Sequence, residues 1–189
     1  MTTPVSGIPG YTVSAYFDLV AGGEIGDEDR TELLDGIVIS APPQGPLHAA
    51  ILMGAEEVVR SAIGDRASIR VQMPFLAGAR SVPEPDLAVV PGRPLDYVLD
   101  HPTQALLVVE IADSSLPFER LTKSRIYAGA GVPEYWIVNL REGCVEVFTR
   151  PDIEGRLYAQ SQSLQPGATI ALSALPGASV AVTDLLPAY

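Results

Sequence analysis

Two short apolar runs constrain this chain more than any other feature: Asp86-Leu87-Ala88-Val89-Val90, and Ala105-Leu106-Leu107-Val108-Val109-Glu110-Ile111. Each has the length and the β-branched content of a buried strand rather than of a helix. Each also carries a carboxylate, Asp86 where the first begins and Glu110 near the end of the second. An unpaired charge is expensive to bury. Strands of this kind therefore have little reason to hold an acid unless it has work to do or a partner to meet. Asp86 alone is equally well read as a strand-end residue in solvent, whereas Glu110 reads first as a metal or catalytic residue, ahead of an exposed strand terminus or a pair with Arg120 or Arg125.

The surrounding pattern predicts a mixed β-sheet with helices packed on it, an α/β (α+β) fold. Thr12 is placed to cap a short helix through about Val20, with Tyr16, Phe17 and Val20 as its buried stripe. Residues 32–39 read as a hairpin turning at Asp35-Gly36, which the Ala41-Pro42-Pro43 stretch ends. Apolar residues recur at helical intervals over 46–63. Strands are predicted over 68–76, 86–90 and 105–111, and a helix over 118–130. Another strand covers 134–139, with a hairpin partner at 145–149. From Arg156 onward the chain reads as short strands broken by Pro-Gly turns, with a helical turn near 183–186. No internal repeat or dividing linker is evident. One domain over 11–186 and a loose arm over 1–10 are expected for 189 residues.

Composition narrows the function. The net charge of -11 argues against a protein that coats nucleic acid non-specifically. It does not exclude a nuclease, because Arg66, Arg70, Arg80, Arg93, Arg120, Lys123 and Arg125 crowd the middle of the chain, where a groove can gather them. A single cysteine, Cys144, permits neither an intrachain disulfide nor a thiolate zinc cluster, and suits a reducing compartment. No signal peptide and no membrane-length apolar run is seen. A cytoplasmic protein is expected.

Asp86 and Glu110 lie 24 residues apart (110 - 86). On adjacent strands of one sheet they can offer oxygen ligands to a hard cation such as Mg2+, which binds few carboxylates and keeps several waters. Lys123, on the helix after the Glu110 strand, is placed to steady a nucleophilic water or the charge on a phosphorane. Its spacing of four from Glu119 is also that of an ordinary solvated helix pair. His48, at the start of a helix, suits a proton carrier or an outer partner of a metal, although a lone histidine there is more often a surface or capping residue. Glu32, before the hairpin turn, is either a site residue or a strand-edge charge. Walker, nucleophile-elbow and HExxH motifs are absent.

Several segments together resemble the Uma-two-type restriction-endonuclease-like proteins of the PD-(D/E)XK nuclease superfamily. They are Glu32 with Asp35-Gly36, Pro42-Pro43 then His48, Pro85-Asp86-Leu87, Val108-Val109-Glu110-Ile111 with Ser114-Ser115, and Lys123 with Tyr127. The most specific is Ala130-Gly131-Val132-Pro133-Glu134-Tyr135-Trp136-Ile137-Val138. The likeness spans about residues 11–186. It implies a restriction-endonuclease-like core, with Mg2+ (or Mn2+) held by Asp86, Glu110 and the backbone carbonyl of Ile111. In the superfamily the lysine usually follows the acid by two residues, a place taken here by Ala112. The resemblance implies that Lys123 has assumed that role from the next helix, and that Glu32 and His48 form a second shell or a substrate contact. Glu119 stands where relatives often carry Asp.

The leading expectation is a Mg2+-dependent endonuclease acting on DNA, as a homodimer able to cut both strands. Two others stand beside it: a catalytically silent dimeric scaffold or regulatory protein that keeps the fold, and a metal-dependent hydrolase of a smaller phosphate ester.

Overall fold

The computed structural model describes residues 10–26, 29–41 and 43–187. Residues 1–9 of the expected arm, and Pro42, lie outside the described residues.

Six strands form the central sheet, in the order β3 (Ser68–Val71), β4 (Leu87–Val90), β5 (Leu107–Ala112), β6 (Glu134–Asn139), β7 (Cys144–Asp152) and β8 (Leu157–Leu164). Every neighbouring pair is antiparallel except β5 and β6, which run parallel. A parallel pair needs a crossover. Here it consists of α3 (Leu116–Phe118), a π-helical turn (Glu119–Lys123) and α4 (Ser124–Gly129).

The period-two alternation of the strands divides the core into two layers. Leu87, Val89, Leu107, Val109, Trp136 and Val138 point to one face and pack against α2 (Pro46–Ile63) through Leu52, Ala55, Val59 and Ile63. The C-terminal pieces β9 (Thr169–Ala171) and β10 (Ser179–Ala181) close the same layer with Ile170 and Val180. Ala88, Val90, Val108, Tyr135 and Ile137 point to the other face, where Tyr127, Leu116 and Phe75 cover them. Burial of one such aliphatic or aromatic side chain contributes about 1.5–3 kcal/mol.

The hairpin β1 (Thr31–Leu34) and β2 (Ile37–Ser40) stands apart from the six-stranded sheet. Asp35 and Gly36 turn it with φ of 50° and 85°, as expected from the Asp-Gly pair. Leu33 and Val38 pack on Tyr16 of α1 (Val13–Ala21), while Leu34 and Ile39 pack on Ile126 of α4. The hairpin is thereby wedged between two helices. Glu32 lies two residues from Leu34, on the face turned toward α4.

Two expectations are corrected, and a third is met one residue earlier in the chain. The strand predicted over 68–76 stops at Val71, because Gln72 takes a φ of 50° and its N–H turns to the carbonyls of Pro85 and Asp86. The helix predicted over 118–130 begins at Leu116 and is interrupted by the π-helical turn. The helical turn near 183–186 is a 3-10 helix over Val182–Leu185.

Candidate active site

β4 and β5 are hydrogen-bonded only from Leu87 onward, so the sheet opens at the residue before it, which is Asp86. There the Asp86 side chain replaces the missing ladder bond. Its Oδ2 accepts the Ile111 N–H at 2.8 Å, and the Asp86 N–H points to Glu110 Oε2 at 3.3 Å. The N–H and C=O of one strand residue leave from the same edge. Ile111 therefore turns its carbonyl toward this opening too, and it lines the cleft there.

The crossover helix supplies the cation. Glu119, Lys123 and Tyr127 are spaced by four. In a continuous α-helix, residues so spaced drift round the axis. The π turn, in which the Ser124 N–H bonds the carbonyl of Glu119, rotates less per residue and offsets that drift. All three side chains consequently face inward and are buried. Lys123 Nζ donates to Glu110 Oε1 at 2.9 Å and lies 3.0 Å from Glu32 Oε1. The Tyr127 hydroxyl donates to the same Glu110 oxygen at 2.5 Å. Glu32 Oε1 also accepts the Glu84 N–H at 2.6 Å.

Asp86 Oδ1 completes the constellation, meeting His48 Nε2 at 3.0 Å and accepting from Gln72 Nε2 at 3.0 Å. His48 comes from the first turn of α2, which starts at Pro46. The five residues singled out in the sequence, Glu32, His48, Asp86, Glu110 and Lys123, thus converge on one cleft of about 530 Å³. Asp86 is 6% exposed, Glu110 3%, Lys123 6% and Glu32 5%. The solvent readings of Asp86, Glu32 and Lys123 are corrected by this burial. So is the pairing of Glu110 with Arg120, since Arg120 is bound to Glu146 at 2.6 and 2.8 Å.

Burial holds the charge pattern in place. It raises the Glu110 carboxyl well above the usual range, against the opposing pull of Lys123. Burial works against the Lys123 ammonium as well, but Glu110, Glu32 and Glu119 outweigh it and raise its pKa, so Lys123 stays charged. Tyr127 is pushed up by burial and then by Glu110, and remains a phenol donor. Glu119 is raised to about 7, mainly by burial and with Lys123 opposing. Its carboxylate lies 3.5 Å from the Tyr135 hydroxyl.

The donor set fits a hard cation: two carboxylates and a backbone carbonyl, all oxygen, converge where the sheet opens. Two buried acids outside the cleft, Glu134 and Glu146, are engaged elsewhere. Glu134 accepts from the Trp136 indole and the Ser173 N–H. Glu142, Cys144 and Glu146 place possible ligand atoms within 4.8 Å of one another, yet Glu146 is already held by Arg120 and Asn139.

Gln72, Glu84 and Arg30 also line the cleft and were not anticipated from sequence. Gln72 comes from the residue that breaks β3, a signal hidden in an alternating segment. Glu84 stands two residues before Asp86, and burial followed by Glu32 raises its pKa. The central basic cluster expected to line a groove does not: of its seven residues, only Lys123 reaches this cleft.

A six-stranded mixed sheet flanked by helices, with acids and a lysine gathered where two strands part, defines a protein of the nuclease-fold class. A family model described as "Putative restriction endonuclease", Uma2, matches residues 13–183, and the chain belongs to that family. Among solved structures it is similar to one titled a putative nuclease belonging to DUF820, from Anabaena variabilis. That match has 18% identity and a TM-score of 0.71, covering 93% of this chain and 97% of the other. At that identity the likeness speaks for the fold. No curated protein matches the chain.

Proposed function

We propose that this protein is a Mg2+-dependent endonuclease that hydrolyses phosphodiester bonds of DNA. The observation that carries the reading is the meeting of Asp86 and Glu110 at the β4–β5 opening with Lys123 bonded to Glu110. Asp86, Glu110 and the Ile111 carbonyl would hold the metal. When bound, Mg2+ polarises the scissile phosphate and lowers the pKa of a coordinated water.

The remaining roles belong to the chain. Lys123, kept charged by its carboxylate neighbours, presents an ammonium to the phosphate oxygens or the attacking water. Glu32 and Tyr127 fix it indirectly, Glu32 by binding the ammonium and Tyr127 by sharing the Glu110 oxygen. His48 and Gln72 orient Asp86 through its other oxygen, and such outer partners set ligand geometry.

Calorimetric titration with Mg2+ and Mn2+, comparing wild type with Asp86→Ala and Glu110→Ala, tests the metal assignment. Binding is expected in wild type and lost in both variants. Nicking of supercoiled plasmid tests the reaction, and nicking that persists in Glu110→Ala would refute the assigned site. Failure of wild type to bind either ion at millimolar concentration would instead favour the silent scaffold.

We further propose a homodimer in a reducing, cytoplasmic setting. The edge strand β8 supports the first part: its residues 157–164 are largely exposed and carry no charge. Such an edge is open to strand pairing with another copy. The single buried Cys144 supports the second. Among the described residues no helix is long and apolar enough to cross a membrane. Sedimentation of the protein with and without Gln160→Pro checks the dimer.

A further inference from the structure

A double helix presents its phosphates on a convex surface, and a protein that grips it reaches the backbone with Lys and Arg. The cleft itself offers few such groups, although Arg80, Arg93, Arg125, Arg141 and Arg150 are exposed elsewhere on the surface, Arg141 beside Asp113. Arg60 is held by Glu56, Arg120 by Glu146 and Arg156 by Asp35. Arg66 bonds the carbonyls of Ala62, Ile63 and Pro176. The only lysine, Lys123, is buried among the acids. Arg30 alone joins it as a further Lys or Arg in the cleft lining, facing the carboxylates of Glu32, Glu84, Asp86, Glu110, Asp113 and Glu119.

The rest of the wall is mixed, with Gln44, His48, Gln72, Ser114 and Ser115 among its polar residues. Leu47, Pro117, Phe118 and Leu140 line it, and Leu47 is 41% exposed. The cleft holds about 530 Å³. Cavities of roughly 300–1,000 Å³ enclose bodies of small-molecule size. Asp86 and Glu110 lie within it, almost out of reach of solvent, so the scissile phosphate must enter the cleft to meet them.

Resting on the nuclease reading above, we infer that the substrate reaches these acids as an unpaired strand, a single-stranded segment or a frayed end, and not as an intact duplex. An unpaired strand turns a phosphate inward freely and can lay a base against the apolar patch of Leu47, Pro117, Phe118 and Leu140. Stacking on an aromatic ring contributes about 1–3 kcal/mol per base and tolerates any sequence. Phe118 is the ring available here. A duplex holds its phosphates outside the cleft and brings a second backbone toward the surplus of carboxylates.

Three end-labelled DNAs of one sequence decide the matter: a single strand, a full duplex, and a duplex with a central unpaired bubble. Each is incubated with the full chain and Mn2+, with Glu110→Ala as control. The single strand is expected to be cut at least tenfold faster than the duplex, and cuts in the third DNA are expected inside the bubble. A duplex cut as fast as the single strand, or cuts outside the bubble, overturns this inference and leaves the nuclease reading standing. Cleavage of none of the three overturns the nuclease reading, and the inference with it. Phe118→Ala is expected to raise KM for the single strand about tenfold, with Phe118→Tyr restoring it. An unchanged KM removes the ring from the contact and overturns the stacking argument.

Discussion

Lys123, the only lysine in the chain, donates to Glu110 at 2.9 Å while both side chains are almost wholly buried. A second carboxylate, Glu32, lies 3.0 Å from the same ammonium. One cation thus compensates two buried acids contributed by a strand of the sheet and by the separate hairpin. The pair ties the crossover helix to β5, and the third member ties both to β1.

Removing the cation should cost the fold heavily. Lys123→Met leaves two buried carboxylates uncompensated and is expected to lower stability by about 3–5 kcal/mol. Adding Glu32→Gln to it removes one of the orphaned charges and should recover part of the loss. Urea unfolding of both singles and the double forms the cycle. Strict additivity would show that Lys123 and Glu32 do not interact.

Glu119 should make stability pH-dependent in a specific direction. Its folded pKa of about 7 stands above the ordinary glutamate value of 4.5, mainly through burial. The folded state therefore binds more protons between those values, and stability falls as pH rises from roughly 4.5 to 7. Glu110 acts in the same direction. In metal-free buffer, Glu119→Gln should melt several degrees above wild type at pH 8 and lose that margin at pH 5. A margin independent of pH would contradict the assignment.

The partners of Asp86 should control metal affinity without being ligands. His48→Ala or Gln72→Ala removes one of the two side chains that hold Asp86 Oδ1 and is expected to weaken Mn2+ binding by about 10–100-fold. Asp86→Asn should abolish it. Calorimetry on folded variants, checked by circular dichroism, separates the two outcomes. Full affinity in both alanine variants would reduce these contacts to packing.

Tyr127→Phe should destabilise by about 1–3 kcal/mol, since a buried Glu110 oxygen loses one of its two donors. The ring is fully buried against Phe75 and Tyr135, so its packing is preserved. Thermal unfolding reads the change, and no change would mean that Lys123 alone satisfies the oxygen.

Much of the fold follows from local pattern. Helix α2 spans 46–63 as its apolar spacing and Pro46 require, and α1 begins at the Thr12 cap, whose side chain accepts the Ala15 N–H. β6 covers 134–139 as read. These elements are specified by near neighbours: a cap, a turn residue, a periodic stripe. Gln72 and the π turn were not readable in the same way. The segment 68–76 alternates well enough for a long strand, yet Gln72 is diverted by the carbonyls of Pro85 and Asp86, more than ten residues away. Glu119 and Lys123 carry the spacing of a solvated pair, and only packing under the hairpin turns both inward.

The amino-acid sequence by itself determined which acids are anomalous, because a carboxylate inside a short apolar run is visible without coordinates. It also determined the strands and helices that carry them. What tertiary structure decided is their meeting. Asp86 and Glu110 share a site because β4 and β5 pair from Leu87 onward and part just before it. Lys123 serves both Glu110 and Glu32 because the hairpin is wedged against the crossover helix. Spacing along a chain constrains neighbours a few residues apart. Contacts 13 and 24 residues apart are set by the sheet register and by which faces bury together.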